Sequence, residues 1–293
     1  MSDSYDRRFA LVIVLFLLGI SLSACLNLAL HTTFAQVVQD QNASSDIRNN
    51  TISYVYNLYT NKTDIQLNRS SVNYHNNVTG YLVYPEGAKE KLPAVIMIHE
   101  WWGLNEQIKR QADTLAKEGY IVLAADLYNG KVAADPNRAM ELSSSVRNHP
   151  TIAIENLQSA VRYVRSLEIV DGNRVATLGW CFGGDWSLQL ALNSTEEPLA
   201  ATILYYGRPV TDTASISNIT WPVLGIFGDR DQSIPLESVN QFASALNASR
   251  VTNEIYVYKG VGHAFANPSG DNYAAKETAD AWKKTVMFLK SNV

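Results

Sequence analysis

Val175-Ala176-Thr177-Leu178-Gly179-Trp180-Cys181-Phe182-Gly183-Gly184 is the stretch on which the reading of this chain turns. Val175 to Gly179 has the apolar, β-branched character of a strand, and a helical pattern runs from Gly184 to Leu192. Between them, G-x-C-x-G sets a glycine two positions on either side of Cys181. Glycines at those positions permit a sharp, strained strand-to-helix turn, the nucleophile-elbow spacing, which thrusts the central side chain above the sheet edge. The commonest fate of a free cysteine is to be a small buried hydrophobe, so the neighbours decide. A free thiol titrates near pH ~8.5 and attacks well at neutral pH only beside a base or a helix N-terminus. The helix opening near Gly183 provides the second, and a base has to come from elsewhere in the chain.

Working outward, short β-rich runs alternate with helical patterns from Ala94 onward, the arrangement that builds a parallel sheet. The expected strands are Ile52 to Leu58, Gly80 to Tyr84, Ala94 to His99, Ile121 to Ala125, Val175 to Gly179, Ala201 to Tyr205, Val223 to Phe227 and Glu254 to Tyr258. Several are continuous apolar runs, which suits strands covered on both faces. Helices are expected over Asn105 to Glu118, Asn137 to Arg147, Thr151 to Leu167, Gly184 to Leu192, Leu236 to Leu246 and Tyr273 to Leu289. The apolar stripe Ile152, Ile154, Leu157, Val161, Val164 and Leu167 marks the third as scaffold. The fold class is α/β: a central, mostly parallel sheet of about eight strands with helices on both faces.

Two loops downstream of Cys181 carry groups that would serve it, in the order nucleophile, acid, histidine. Gly228-Asp229-Arg230-Asp231-Gln232-Ser233-Ile234-Pro235 follows one strand and offers two carboxylates, nearly tied by local spacing. Gly262-His263-Ala264-Phe265 follows the last strand. Asp231 lies 50 residues beyond Cys181 and His263 a further 32, enough chain to return to the same sheet edge each time. Open α/β sheets bind their ligands at that edge. Alone, His263 reads as a surface-loop histidine; only the other two residues change that. His99-Glu100-Trp101-Trp102-Gly103 closes another strand, and the backbone N–H of Trp101 would pair with that of Phe182 to hold an oxyanion. Glu100 either hydrogen-bonds the thiol and keeps it protonated until substrate arrives, or caps the helix starting near Asn105.

The 293 residues suit one large domain with a short extra segment, and 46% apolar with 18% charged residues is globular composition. A net charge of −4 with no cluster of Lys and Arg gives no field for nucleic acid. Two cysteines, Cys25 in the first apolar run and Cys181, exclude a disulfide framework. No metal-ligand spacing and no dinucleotide fingerprint is visible, so a cofactor-free protein is expected.

Arg7 and Arg8 precede Phe9 to Leu30, 22 residues without a charged side chain. This fits a signal peptide or one membrane-spanning helix, so residues 1–35 bring the chain to a membrane. Lipidation at Cys25 after Leu22-Ser23-Ala24, cleavage after Thr33-Phe34-Ala35, and retention as an anchor all remain open. Asn-x-Ser/Thr acceptors at Asn42, Asn49, Asn61, Asn68, Asn77, Asn193, Asn218 and Asn247 point outward as well. Residues 36–70 read as a polar stalk, with 71–293 as the catalytic domain. A secreted location, or one on the outer membrane face, follows, and a monomer is expected.

Taken in order, His99-Glu100 with Trp101-Trp102-Gly103, Asp126-Leu127-Tyr128, Gly179 to Gly184, Tyr205-Tyr206-Gly207, Asp231 with Ile234-Pro235, and Gly262-His263-Ala264-Phe265 resemble the dienelactone hydrolase (carboxymethylenebutenolidase) family of the α/β-hydrolase fold. The resemblance covers roughly Val78 to Val293. It implies that Cys181 is the nucleophile, His263 the base, Asp231 rather than Asp229 its orienting acid, and Glu100 the thiol's resting partner. Where the family's two carboxylate-binding arginines would stand, this chain has Gly130 and Asn267. Arg208 and Lys131 are candidate substitutes, with Tyr128 and Tyr206 as further pocket residues. The expected function is hydrolysis of a small ester or lactone. A non-catalytic surface binding protein is the alternative, and a thiol redox protein is disfavoured by the lack of a resolving cysteine in the main domain.

Overall fold

The computed structural model describes residues 65–293. The expected leader and anchor, Cys25, the strand Ile52 to Leu58 and the acceptors Asn42, Asn49 and Asn61 lie outside the described residues. No helix among the described residues is long and apolar enough to cross a membrane.

Among the described residues, eight strands form one sheet: β1 (Leu67–His75), β2 (Val78–Pro85), β3 (Leu92–Ile98), β4 (Ile121–Ala125), β5 (Val170–Trp180), β6 (Ala201–Tyr205), β7 (Val223–Gly228) and β8 (Asn253–Tyr258). Their spatial order is β1-β2-β4-β3-β5-β6-β7-β8. β3 to β8 are mutually parallel, and β1 and β2 are added antiparallel on the β4 side. The helices are α1 (Glu106–Ala116), α2 (Pro136–Arg147), α3 (Pro150–Ser166), α4 (Phe182–Leu192), the single turn α5 (Thr213–Ile216), α6 (Leu236–Ala248) and α7 (Ala275–Asn292).

The unbroken apolar strands have the predicted cause. In β3, Ala94, Ile96 and Ile98 face one core, with Leu157 of α3, Leu188 of α4 and Phe242 of α6. Val95 and Met97 face the other, with Ile108 and Leu115 of α1 and Phe288 and Leu289 of α7. All five strand residues are fully buried, so alternation leaves no polar side. Truncating Leu157 or Phe242 to Ala would cost about 3 kcal/mol from lost burial and the cavity left behind.

β1 was not expected. Its sequence, Leu67-Asn68-Arg69-Ser70-Ser71-Val72-Asn73-Tyr74-His75, buries only Leu67 and Tyr74, and it begins inside the stretch read as a polar stalk. An edge strand pairs through its backbone and gains from polar side chains that discourage further pairing, so it carries no apolar run. At α1, Asn105 is the cap: its side chain accepts the Ile108 N–H at 3.1 Å, and Glu106 sits favourably in the first turn. Glu100 is therefore not the cap of this helix.

The chain runs from β3 outward to β4 and then crosses back to β5 on β3's other side. Neighbouring connections therefore leave β3 and β5 in opposite directions and open a crevice at their carboxyl ends. The loop at Glu100 and the turn at Cys181 both lie there.

Candidate active site

Cys181 stands at φ +53°, ψ −117° between β5 and α4, a conformation that L-residues adopt only under constraint. The glycines around it are steric requirements. A Cβ on Gly179 would lie 2.0 Å from the Gly183 oxygen, and one on Gly183 would lie 2.2 Å from the Ile98 oxygen. The Cys181 N–H is tied to the Tyr205 carbonyl at 3.0 Å, and its own carbonyl accepts from Asp185 at 3.0 Å, opening α4. The thiol remains partly exposed.

The loop after β8 brings His263 to the thiol, with Nε2 3.1 Å from Sγ. Its Nδ1 is 2.7 Å from Asp231 Oδ2, on the loop after β7. Asp231 is buried, and its other oxygen accepts the N–H groups of Ser233 and Ile234 at 2.8 and 2.9 Å. The carboxylate is thus fixed by backbone, and Nδ1–H can only be donated to it. Asp229, its local rival, instead accepts the Gly260 N–H at 2.6 Å. Burial would lower the proton affinity of His263, but its hydrogen bonds to Asp231 and Cys181 override this and raise its pKa to about 10.

Glu100 is buried beside this line of residues. Its oxygens accept from the Tyr206 hydroxyl at 3.4 Å and from the Asn267 amide. The expected bond to the thiol is not the arrangement found: Tyr206, itself at φ +37°, and Asn267, four residues past His263, fill both oxygens with neutral donors. Burial raises the Glu100 pKa to about 7, and His263, Asn267 and Tyr206 only partly counter it. Tyr206 also meets the His263 ring edge-on at 5.2 Å, linking the two titratable groups.

The remaining residues expected in the pocket separate. Asn267 is buried against Glu100, whereas Lys131 and Arg208 are exposed. The Arg208 N–H and the Arg147 guanidinium are both held by Asp185 on the first turn of α4. Gly130 adopts φ +81°, with its N–H on Asp126. Tyr128 lies beneath the Glu100 loop and donates its hydroxyl to the Trp101 carbonyl at 3.1 Å. Phe182 opens α4, where N–H groups have no acceptor within the helix, and Trp101 follows Glu100 in a turn closed by Gly103 N–H to Glu100 O at 3.1 Å.

Sequence reasoning passed over the polar layer under this loop. The Tyr74 hydroxyl donates to Asn156 at 2.7 Å and accepts the Asp126 N–H at 3.0 Å, while His99 bonds the backbones of Glu100 and Leu127. The available signal was a histidine at the end of an otherwise wholly apolar strand.

Known proteins resemble this chain over most of its length. A carboxymethylenebutenolidase-named protein of Aquifex aeolicus is 30% identical over 219 residues, covering 73% of this chain and 93% of its own length. A Bradyrhizobium protein named for 2-oxo-3-(5-oxofuran-2-ylidene)propanoate lactonase is 28% identical, covering 68% and 84%. Among solved structures, a dienelactone hydrolase-like promiscuous phosphotriesterase from metagenomic libraries superposes with a TM-score of 0.71 at 22% identity, covering 78% of this chain and 98% of that one; at this identity the likeness is one of α/β-hydrolase fold. The dienelactone hydrolase family matches residues 78–293, and the chain belongs to that family.

Proposed function

We propose that this protein hydrolyses a small carboxylic ester or lactone through a covalent acyl-enzyme on Cys181. The observation that carries the reading is the unbroken line from Sγ through the imidazole to a buried, backbone-fixed carboxylate, at 3.1 and 2.7 Å, on a strained turn that exposes the thiol. Cys181 passes its thiol proton to His263 Nε2 as Sγ attacks the carbonyl carbon, and the oxygen that becomes negative is held by the N–H groups of Phe182 and Trp101. As the tetrahedral species collapses, the C–O bond breaks and His263 gives its proton to the departing oxygen. Water then attacks the thioester and gives a proton to His263, and as the C–S bond breaks the acid leaves and His263 returns that proton to Sγ. Asp231 holds the imidazole in one tautomer and stabilises its charged form throughout. A lactone suits this chemistry, because its leaving group stays tethered near the site.

The location we propose is outside the cell or on the outer membrane face. It is supported by the uncharged run Phe9 to Leu30 after Arg7 and Arg8 and by the Asn-x-Ser/Thr acceptors. The test is turnover of a short p-nitrophenyl ester and of a dienelactone by wild type and by Cys181→Ala. Turnover that disappears in the variant is the expected result. Equal turnover in both would sink the thiol mechanism, and no turnover by wild type would shift the reading to a binding protein on the same fold.

A further inference from the structure

We propose that His99 is a positioning residue for the oxyanion site: it orients and polarises the Glu100–Trp101 peptide, whose N–H is one oxyanion donor, and packs against the residue carrying the other. The inference rests on the ester-hydrolase reading above. His99 is fully buried, and nothing in the line Cys181, His263, Asp231 uses it. Its Nε2 lies 3.1 Å from the Leu127 N–H, which can only donate, so Nε2 is the acceptor and the ring proton sits on Nδ1. That Nδ1–H is donated to the Glu100 carbonyl at 2.6 Å. Asp126 is no rival partner: its Oδ1 is 3.8 Å from Nε2 and already accepts the Tyr128 N–H at 2.8 Å. Burial also disfavours a charged ring, so the neutral tautomer is fixed.

The Glu100 carbonyl and the Trp101 N–H belong to one trans peptide plane. Fixing the carbonyl therefore aims the N–H the opposite way, and a hydrogen bond to the oxygen makes the N–H a stronger donor. Gly103 N–H holds the same carbonyl at 3.1 Å, and the Tyr128 hydroxyl holds the next one, Trp101 O, at 3.1 Å. Phe182 supplies the second N–H. Its ring stacks on His99 at 5.8 Å with an interplanar angle of 16°. One imidazole thus ties together the two halves of the oxyanion site, which belong to loops far apart in sequence.

The experiment compares ester hydrolysis with alkylation of Cys181 by iodoacetamide. Alkylation forms the S–C bond and expels iodide without any oxyanion, so it reports the thiol and imidazole alone. His99→Phe keeps a ring against Phe182 and removes the Nδ1 donor. Its kcat is expected to fall on the order of ten- to a hundredfold, as for a misplaced oxyanion donor, with KM within about threefold and alkylation within about twofold. His99→Gln restores a side-chain N–H and is expected to return kcat to within about fivefold of wild type. Should His99→Phe not fold, His99→Met takes its place beside His99→Gln. Unchanged kcat in the donor-less variant overturns the proposal, as does a parallel loss of alkylation, which would mark general damage to the turn. Wild type without ester turnover overturns the hydrolase reading and this proposal with it, whereas turnover in wild type and unaltered kcat in the variant overturns this proposal alone.

Discussion

Replacing Glu100 with Gln should stabilise the protein at alkaline pH and leave its stability nearly unchanged in mild acid. The reason is the buried carboxyl: its hydrogen-bond donors Tyr206 and Asn267 are neutral, and the attraction of His263 only partly offsets the cost of burying the charge. In the unfolded chain it loses its proton near pH 4.5; in the folded chain, burial delays this to about 7. Between those values the folded state holds the extra proton, so stability falls as pH rises through the window and the loss is complete above it. At about 1.4 kcal/mol per pH unit, the ionised group costs the folded state about 3 kcal/mol at pH 9. Gln resembles the protonated acid in shape and keeps one oxygen to accept from Asn267. Urea unfolding followed by tryptophan fluorescence at pH 5 and pH 9 measures the difference, since the other titrating groups are common to both chains. A gain of about 3 kcal/mol moves the midpoint at pH 9 by about 1 M urea, with midpoints nearly equal at pH 5. Equal midpoints at both pH values, or a less stable variant at pH 9, would refute the reasoning. Turnover by the variant should fall while its stability rises, the trade expected where a costly group is kept for function.

Three further outcomes follow from the same geometry. Asp231→Asn keeps an oxygen for the Ser233 and Ile234 N–H groups and turns an NH2, which cannot accept, toward the His263 Nδ1–H, so kcat should drop on the order of a hundredfold to ten-thousandfold, as measured by steady-state ester hydrolysis. Gly183→Ala sets a Cβ 2.2 Å from the Ile98 oxygen and 2.6 Å from the His99 oxygen, both backbone, so the elbow has to move; ester turnover should be lost even in any soluble protein recovered. Asn267→Arg sets a guanidinium where a neutral amide now faces Glu100, favouring the carboxylate and moving its protonation below pH 7; the wild-type loss of stability between pH 5 and pH 9 should shrink in the same urea experiment.

Much of the parallel core was legible because each strand is buried on both faces and so reads as an uninterrupted apolar run. The turn at Cys181 was legible for a different reason: a side chain lifted off a strand end needs glycines two positions away, and that spacing is local. Gly262-His263 and the Asp229-Asp231 loop could be placed at one edge by counting chain length, but counting could not choose between two carboxylates two residues apart. The family resemblance favoured Asp231, and the fold adds the geometry: Asp231 Oδ1 accepts two backbone N–H groups and Oδ2 is turned toward the imidazole.

What the sequence determined by itself was therefore the architecture and the placing of Cys181 on a glycine-flanked turn, because both are written as periodicity and local spacing. The direction of the Glu100 carboxyl, the strand at Leu67–His75 and the partners of His99 were decided by tertiary structure. An edge strand has no core to advertise. The partners of a buried polar group come from segments far apart in the chain, as Asn267 does for Glu100 and Leu127 for His99, so no local pattern records them.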